Sequence, residues 1–125
     1  VPLQPGLTAR LDHTVGEDDT ALAVRSGDVP VLATPRVVAL CEQAAVETLR
    51  GRLDPGTTSV GMRVQLDHLA PTRVGSTVHT EATLEKVEGR RLTFTVSVND
   101  QCGLVAAGKV TRVLVERDRF LDRAR

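Results

Sequence analysis

From residue 57 onward, apolar side chains recur at every second position. Val60, Met62, Val64 and Leu66 share one parity ahead of Pro71. Val78, Thr80, Ala82 and Leu84 form a second run, Leu92, Phe94, Val96 and Val98 a third, and Leu104 to about Val115 a fourth. A period of two marks strands that bury one face. The turn signals Glu88-Gly89-Arg90 and Asn99-Asp100-Gln101-Cys102-Gly103 are short enough for hairpins, so the last three strands are predicted to form a meander. Near the start, Leu7, Ala9, Leu11, His13 and Val15 alternate more weakly and predict a strand ending near Gly16, broken by the acidic Glu17, Asp18 and Asp19. Residues 20–32 are irregular: a short strand around Ala21 to Val24 is expected inside a loop marked by Ser26, Gly27, Asp28 and Pro30. The charged tail from Glu116 to Arg125 is expected to fray.

Between the first strand and the meander the period changes. Thr34-Pro35 reads as a helix start, with Thr34 as N-cap and Pro35 at the position where a missing N–H costs nothing. The helix should run to about Arg52 and stop before Asp54-Pro55-Gly56. On a helical wheel Arg36, Gln43, Glu47 and Arg50 fill a narrow polar sector, while Val37, Val38, Leu40, Cys41, Ala44, Ala45, Val46 and Leu49 occupy most of the rest. Such a helix should be largely surrounded by protein. An antiparallel sheet of about five strands wrapped around one long central helix is an α+β arrangement, and this order of elements is that of the hotdog fold. The length of 125 residues fits a single domain over residues 1–125. One copy would leave a sheet edge and the helix N-terminus open, which favours a homodimer, possibly stacked into a tetramer.

Composition narrows the function. Sixteen basic and sixteen acidic residues cancel, so no net field gathers nucleic acid or an anionic membrane. Phe94 and Phe120 are the only aromatics, which removes a stacking platform for bases, and abundant valine suits an aliphatic β-core. Neither a membrane span nor a signal peptide is expected, and the cytoplasm is the expected compartment. Cys41 and Cys102 are expected to be reduced, and three histidines at 13, 68 and 79 make a metal site unexpected.

Two polar residues interrupt the apolar pattern. Glu42 falls between Leu49 and Val46 on the wheel, outside the polar sector, so its carboxylate should face inward, where a charge needs a partner. His68 has the parity of Val64 and Leu66 and should place its imidazole on the inner face as a plausible partner for Glu42. Bland readings stand beside these: a carboxylate at the margin of a buried face, a satisfied core histidine, and capping as a full explanation of Thr34. His13 shares its strand's apolar parity but has no identifiable partner and reads as structural. His79 should face solvent, and Arg90 with Arg91 reads as a solvated hairpin end.

Taken together, Ala33-Thr34-Pro35, Leu40-Cys41-Glu42, Leu53-Asp54-Pro55-Gly56, Val64-Gln65-Leu66-Asp67-His68 with Ala70-Pro71-Thr72, and Val87-Glu88-Gly89-Arg90-Arg91-Leu92 resemble the fluoroacetyl-CoA thioesterase family of hotdog proteins. In that family a Thr, a Glu eight residues later and a His twenty-six residues after the Glu form the active site, and Thr34, Glu42 and His68 keep both spacings. The resemblance implies hydrolysis of an acyl-CoA, or related acyl-carrier, thioester without a cofactor or metal. Glu42 would act as nucleophile or general base, His68 would protonate the leaving thiolate or orient water, and Thr34 would donate a hydrogen bond. Gly61 or the helix N-terminus would stabilise the oxyanion. It also implies a site shared between the subunits of a dimer. Fluoroacetate-specific members carry phenylalanines ahead of the Thr, whereas Arg25 to Pro30 hold that region here, so the acyl group is left unassigned. The alternative from another class is a non-catalytic acyl-CoA-binding module.

Overall fold

The computed structural model describes residues 3–125. Five strands form one antiparallel sheet: β1 (Thr8–Thr14), β2 (Thr57–His68), β3 (Thr77–Glu88), β4 (Arg91–Asp100) and β5 (Gly103–Glu116), in the spatial order β1-β3-β4-β5-β2. β3, β4 and β5 form the expected meander, and β1 and β2 add to its two edges. The β3–β4 turn is closed by Gly89 at φ 62, a left-handed conformation that glycine adopts without the Cβ penalty.

Among the described residues three α-helices accompany the sheet, α1 (Ala21–Val24), α2 (Thr34–Thr48) and α3 (Arg117–Asp122), with a 3-10 turn at Glu17–Asp19. α2 lies on the sheet with Val37, Leu40, Cys41, Ala44 and Ala45 fully buried against a layer that includes Val78, Ala82, Leu84, Phe94, Val98 and Val110. The alanines on this face let helix and sheet approach closely around Phe94, the largest buried side chain. The opposite side of α2 is less covered than its wheel suggests. Val38 is half-buried, and Ala39 and Val46 are exposed, so an apolar strip flanks Glu42 in the single chain. None of the helices among the described residues is long and apolar enough to cross a membrane.

Four local expectations need correction. Ala21–Val24 is a helical turn rather than a strand, because the Thr20 hydroxyl accepts from the Ala23 amide and caps it. α2 stops at Thr48, whose hydroxyl donates to the Ala45 carbonyl, and Leu49 to Gly51 turn away ahead of Arg52. The tail is not frayed throughout: Arg117–Asp122 is helical, anchored where the Arg117 amide donates to the Gly56 carbonyl at 2.9 Å. The fourth concerns β2, whose alternation slips. Opposite β5, Gly61 pairs with Arg112 and Arg63 with Thr111, leaving Met62 as an extra residue in a bulge. Beyond the bulge Val64, Leu66 and His68 face the helix as expected. Before it the helix-facing residues are Ser59 and Gly61, so Val60 and Met62 point away.

Candidate active site

Thr34 is the first residue of α2, but it does not cap it. Ala33 occupies the N-cap position, with its amide donating to the Asp19 carbonyl at 2.8 Å, and no side-chain oxygen caps the helix. The Thr34 hydroxyl is thereby free to turn outward, and its Oγ1 lies 2.7 Å from His68 Nδ1. Capping therefore does not account for Thr34. His68 ends β2 opposite the buried Ala106, so the sheet fixes its backbone while α2 supplies its partner. Burial pulls the His68 pKa below the ordinary histidine value of 6.5, with the Ala70 backbone acting in the opposite direction. In its neutral form the ring carries one N–H and one lone pair, and the tautomer decides which of them meets Thr34. With Nδ1 committed to Thr34, Nε2 is buried and has no hydrogen-bond partner among the described residues. A cavity of about 330 Å³ opens beside the pair, walled by the loop of residues 26–29, by Val31 to Ala33 and by Leu69 to Pro71.

Glu42 lies two turns further along α2, about 12 Å from Thr34 at the helical rise per residue. Its partner is Arg112 rather than His68: Arg112 Nη1 donates to Glu42 Oε2 at 3.1 Å. Two further bonds hold the guanidinium, from Nε to Ser59 Oγ at 2.9 Å and from Nη2 to the Ser59 carbonyl at 3.0 Å. The pair is asymmetric, with the Arg112 side chain 9% exposed and that of Glu42 34%. Burial draws the Arg112 pKa down, and the neighbouring Glu42 carboxylate draws it up. Gly61 is the third member of this cluster. A Cβ built there would collide with Glu42 Oε2, so the carboxylate can rest against the β2 backbone only because residue 61 has no side chain. The adjacent Cys41 is not a competing nucleophile: burial, and then the Glu42 charge, push its thiol up to about 12.

The expected partnership between Glu42 and His68 thus gives way to two pairs, Thr34 with His68 and Glu42 with Arg112. Arg112 went unnoticed in the sequence, although it shares the parity of Val110 and Leu114 on β5, and a charge in the inward register was the available signal. His13 does have a partner. Its Nε2 lies 2.7 Å from Asp19 Oδ2, and the same carboxylate accepts from the Gly16 amide at 2.8 Å and from Arg36 Nε at 2.8 Å. That network ties the end of β1 to the start of α2. His79 is at the surface with Asp12 at 2.7 Å, and Arg90 and Arg91 are exposed.

Comparison with known proteins fits this arrangement. The model of the fluoroacetyl-CoA-specific thioesterase family, FlK, matches residues 15–118. A fluoroacetyl-CoA thioesterase from Streptantibioticus cattleyicolor is 36% identical over 95 residues, covering 76% of this chain and 68% of that protein. The solved structure of the fluoroacetyl-CoA thioesterase FlK superposes with a TM-score of 0.93 at 29% identity, covering 98% of this chain and 96% of that one. A hot-dog-like protein from Thermanaerovibrio acidaminovorans superposes at 0.88 and 30% identity, over 95% and 88% of the two chains. The family match spans both the Thr34–His68 pair and the Glu42–Gly61–Arg112 cluster, and the chain belongs to the fluoroacetyl-CoA-specific thioesterase family.

Proposed function

We propose that this chain hydrolyses acyl-CoA thioesters at a site made from Thr34, Glu42 and His68 and completed by a second copy. The observation that carries the reading is the 2.7 Å contact between Thr34 Oγ1 and His68 Nδ1 on the wall of a substrate-sized cavity. A capping threonine would be spent on its own helix. This one holds a neutral imidazole in a single orientation.

When Nδ1–H donates to Thr34, the lone pair of Nε2 is available as a base. Glu42 Oε2 is held by Arg112, and no hydrogen bond ends on Oε1 among the described residues. In the proposed sequence Oε1 attacks the thioester carbonyl, the C–S bond breaks and an acyl anhydride forms on Glu42. The CoA leaves as the thiolate. Water, giving a proton to His68 Nε2, then splits the anhydride, which releases the acyl acid and restores the Glu42 carboxylate, and His68 passes that proton to the thiolate. The bulge after Gly61 interrupts the sheet ladder, and we assign backbone N–H at Gly61 to the developing oxyanion.

The axial rise of about 12 Å between Thr34 and Glu42 on one helix, with each residue paired to a different partner, argues for the second copy. β2 is an edge strand of twelve residues, and the apolar strip of Val38, Ala39 and Val46 beside it is uncovered. Antiparallel pairing of two β2 edges would run the His68 end of each toward the Gly61 stretch of the other, bringing a Thr34–His68 pair near a Glu42 from its partner. We place the reaction in the cytoplasm, where Cys41 and Cys102 would stay free.

The test is thiol release from a panel of acyl-CoAs by the parent and by Glu42→Ala and His68→Ala, with the oligomeric state followed by light scattering. Each substitution should lower kcat/KM by about a hundredfold or more. Saturable acyl-CoA binding by the parent without thiol release would replace the enzyme with a binding module. Full activity of either variant would remove that residue from the mechanism.

A further inference from the structure

The cavity beside Thr34 and His68 has small residues on two of its walls, between the larger Val29, Val31, Leu32, Leu69 and Pro71. Ala21 and Gly27 face it from the loop side, and Ala33 and Ala70 from the side of the catalytic pair. Gly27 sits against α1 so closely that an added Cβ would stand 3.4 Å from the Ala21 methyl, so the loop rests on a small-on-small contact. Val29 and Leu69 add apolar surface at the mouth, and both are exposed in the free chain. The one ionisable group on the loop wall is Asp28, whose carboxylate has no hydrogen-bond or ion-pair partner among the described residues.

These features specify an acyl group. The depression is widely open to solvent in the single chain, so its volume of about 330 Å³ sets an upper bound of roughly eleven water-sized groups at about 30 Å³ each. With about half of it taken by the thioester and the end of the thiol arm, roughly four to six carbons fit in the remainder. A two-carbon acyl would leave most of the apolar wall against water. Side chains are missing on two sides, which widens the space and suits a branched chain. Asp28 opposes a second carboxylate in the acyl group by like-charge repulsion.

We propose that this cavity receives an uncharged, branched aliphatic acyl group of about four to six carbons and discriminates against two-carbon and carboxylate-bearing acyl groups. The inference rests on the thioesterase reading for the position of the reacting carbonyl and adds the substrate class.

The experiment runs two readouts on the same panel of acetyl, butyryl, isobutyryl, isovaleryl and succinyl groups. One is kcat/KM for the acyl-CoAs, and the other is the Kd of the matching non-hydrolysable thioether analogues of CoA. Each fully buried methylene is worth up to about fourfold, so isovaleryl should exceed acetyl by at least about tenfold in both readouts in this partly open site. Succinyl should fall about tenfold below butyryl, and Asp28→Asn should raise the succinyl-to-butyryl ratio severalfold within the one variant, whatever its overall activity. Filling the space with Gly27→Leu should reverse the isovaleryl-to-acetyl order. A chain that releases thiol but prefers acetyl, or that handles succinyl as well as butyryl, overturns this inference and leaves the thioesterase standing. A chain that releases no thiol yet ranks the analogues as stated overturns the hydrolase and leaves the acyl class. Flat analogue binding overturns the inference in either case.

Discussion

Replacing Arg112 with Met tests whether Glu42 is held in place or merely tolerated. The substitution keeps an unbranched stem in the same volume and removes the three hydrogen bonds to Glu42 and Ser59. Removing one partner from a fully buried ion pair costs about 3–5 kcal/mol, because the survivor is left charged and dry. Glu42 is 34% exposed, so it regains water and much of that penalty does not arise. Arg112 is itself 9% exposed, and removing it relieves the desolvation that already pulls its pKa down. The net loss should be roughly 1–2 kcal/mol, which at about 2 kcal/mol per molar urea lowers the denaturation midpoint by about 0.5–1 M. Hydrolysis should suffer more than folding. A carboxylate released from Oε2 can rotate away from the carbonyl, and misplacement by about 1 Å costs about a hundredfold. Arg112→Lys keeps the charge without the fork that grips Ser59, and should fall between the Met variant and the parent in both assays. An Arg112→Met protein with an unchanged urea midpoint and kcat/KM within about twofold of the parent would refute the reasoning.

Three other outcomes follow from the geometry. Because burial lowers the pKa of His68, the acid limb of kcat/KM should have its midpoint below 6.5, and Thr34→Val should lower kcat/KM while keeping the limb, since it removes the hydroxyl that orients the ring and not the titrating group. For Asp19, burial pushes the carboxyl up, but the Gly16 amide, His13 and Arg36 outweigh it and hold the pKa at about 2, against 3.8 for a free aspartate. A depressed pKa stabilises fully above the unfolded value and loses its effect as pH falls through the folded one, so Asp19→Asn should cost about 2 kcal/mol at pH 7, and urea melts should show that deficit shrinking as pH drops from 3.8 towards 2. Finally, Thr80 is fully buried on β3 with no partner for its hydroxyl among the described residues, and Thr80→Val should raise stability by about 1 kcal/mol in the same assay. A destabilised Thr80→Val variant would mean that the hydroxyl has a partner.

The strands of the meander were legible because each buries one face only, and the turn residues at 88–90 and 99–103 punctuate them locally. Glu42 and His68 were legible for the same reason, as polar residues in apolar registers. Their partners were not. Which side chain meets Glu42 depends on how β5 lies beside β2, a contact between residues seventy positions apart. Thr34 misled for a different reason. A threonine before Pro35 satisfies every local rule for a cap, and only the Ala33 carbonyl accepting from the Val37 amide shows that the helix begins one residue earlier. The half-open side of α2 was also invisible on the wheel, which ranks faces by composition and cannot say how many of them a single chain covers.

The extra residue at Met62 makes β2 a strand of two phases. Its first half is keyed to Glu42 through Gly61, and its second half to Thr34 through His68. Each half can therefore be re-phased without the other. Gain of one residue at the junction, with the bulge kept at one residue, would turn Met62 toward the Glu42 carboxylate and Gly61 toward solvent, while His68 kept its place opposite Ala106. Length at this one point is thus as much a part of the site as the identity of any side chain in it. A relative could retain Thr34, Glu42 and His68 letter for letter and still lose the seat of its carboxylate through an insertion of one.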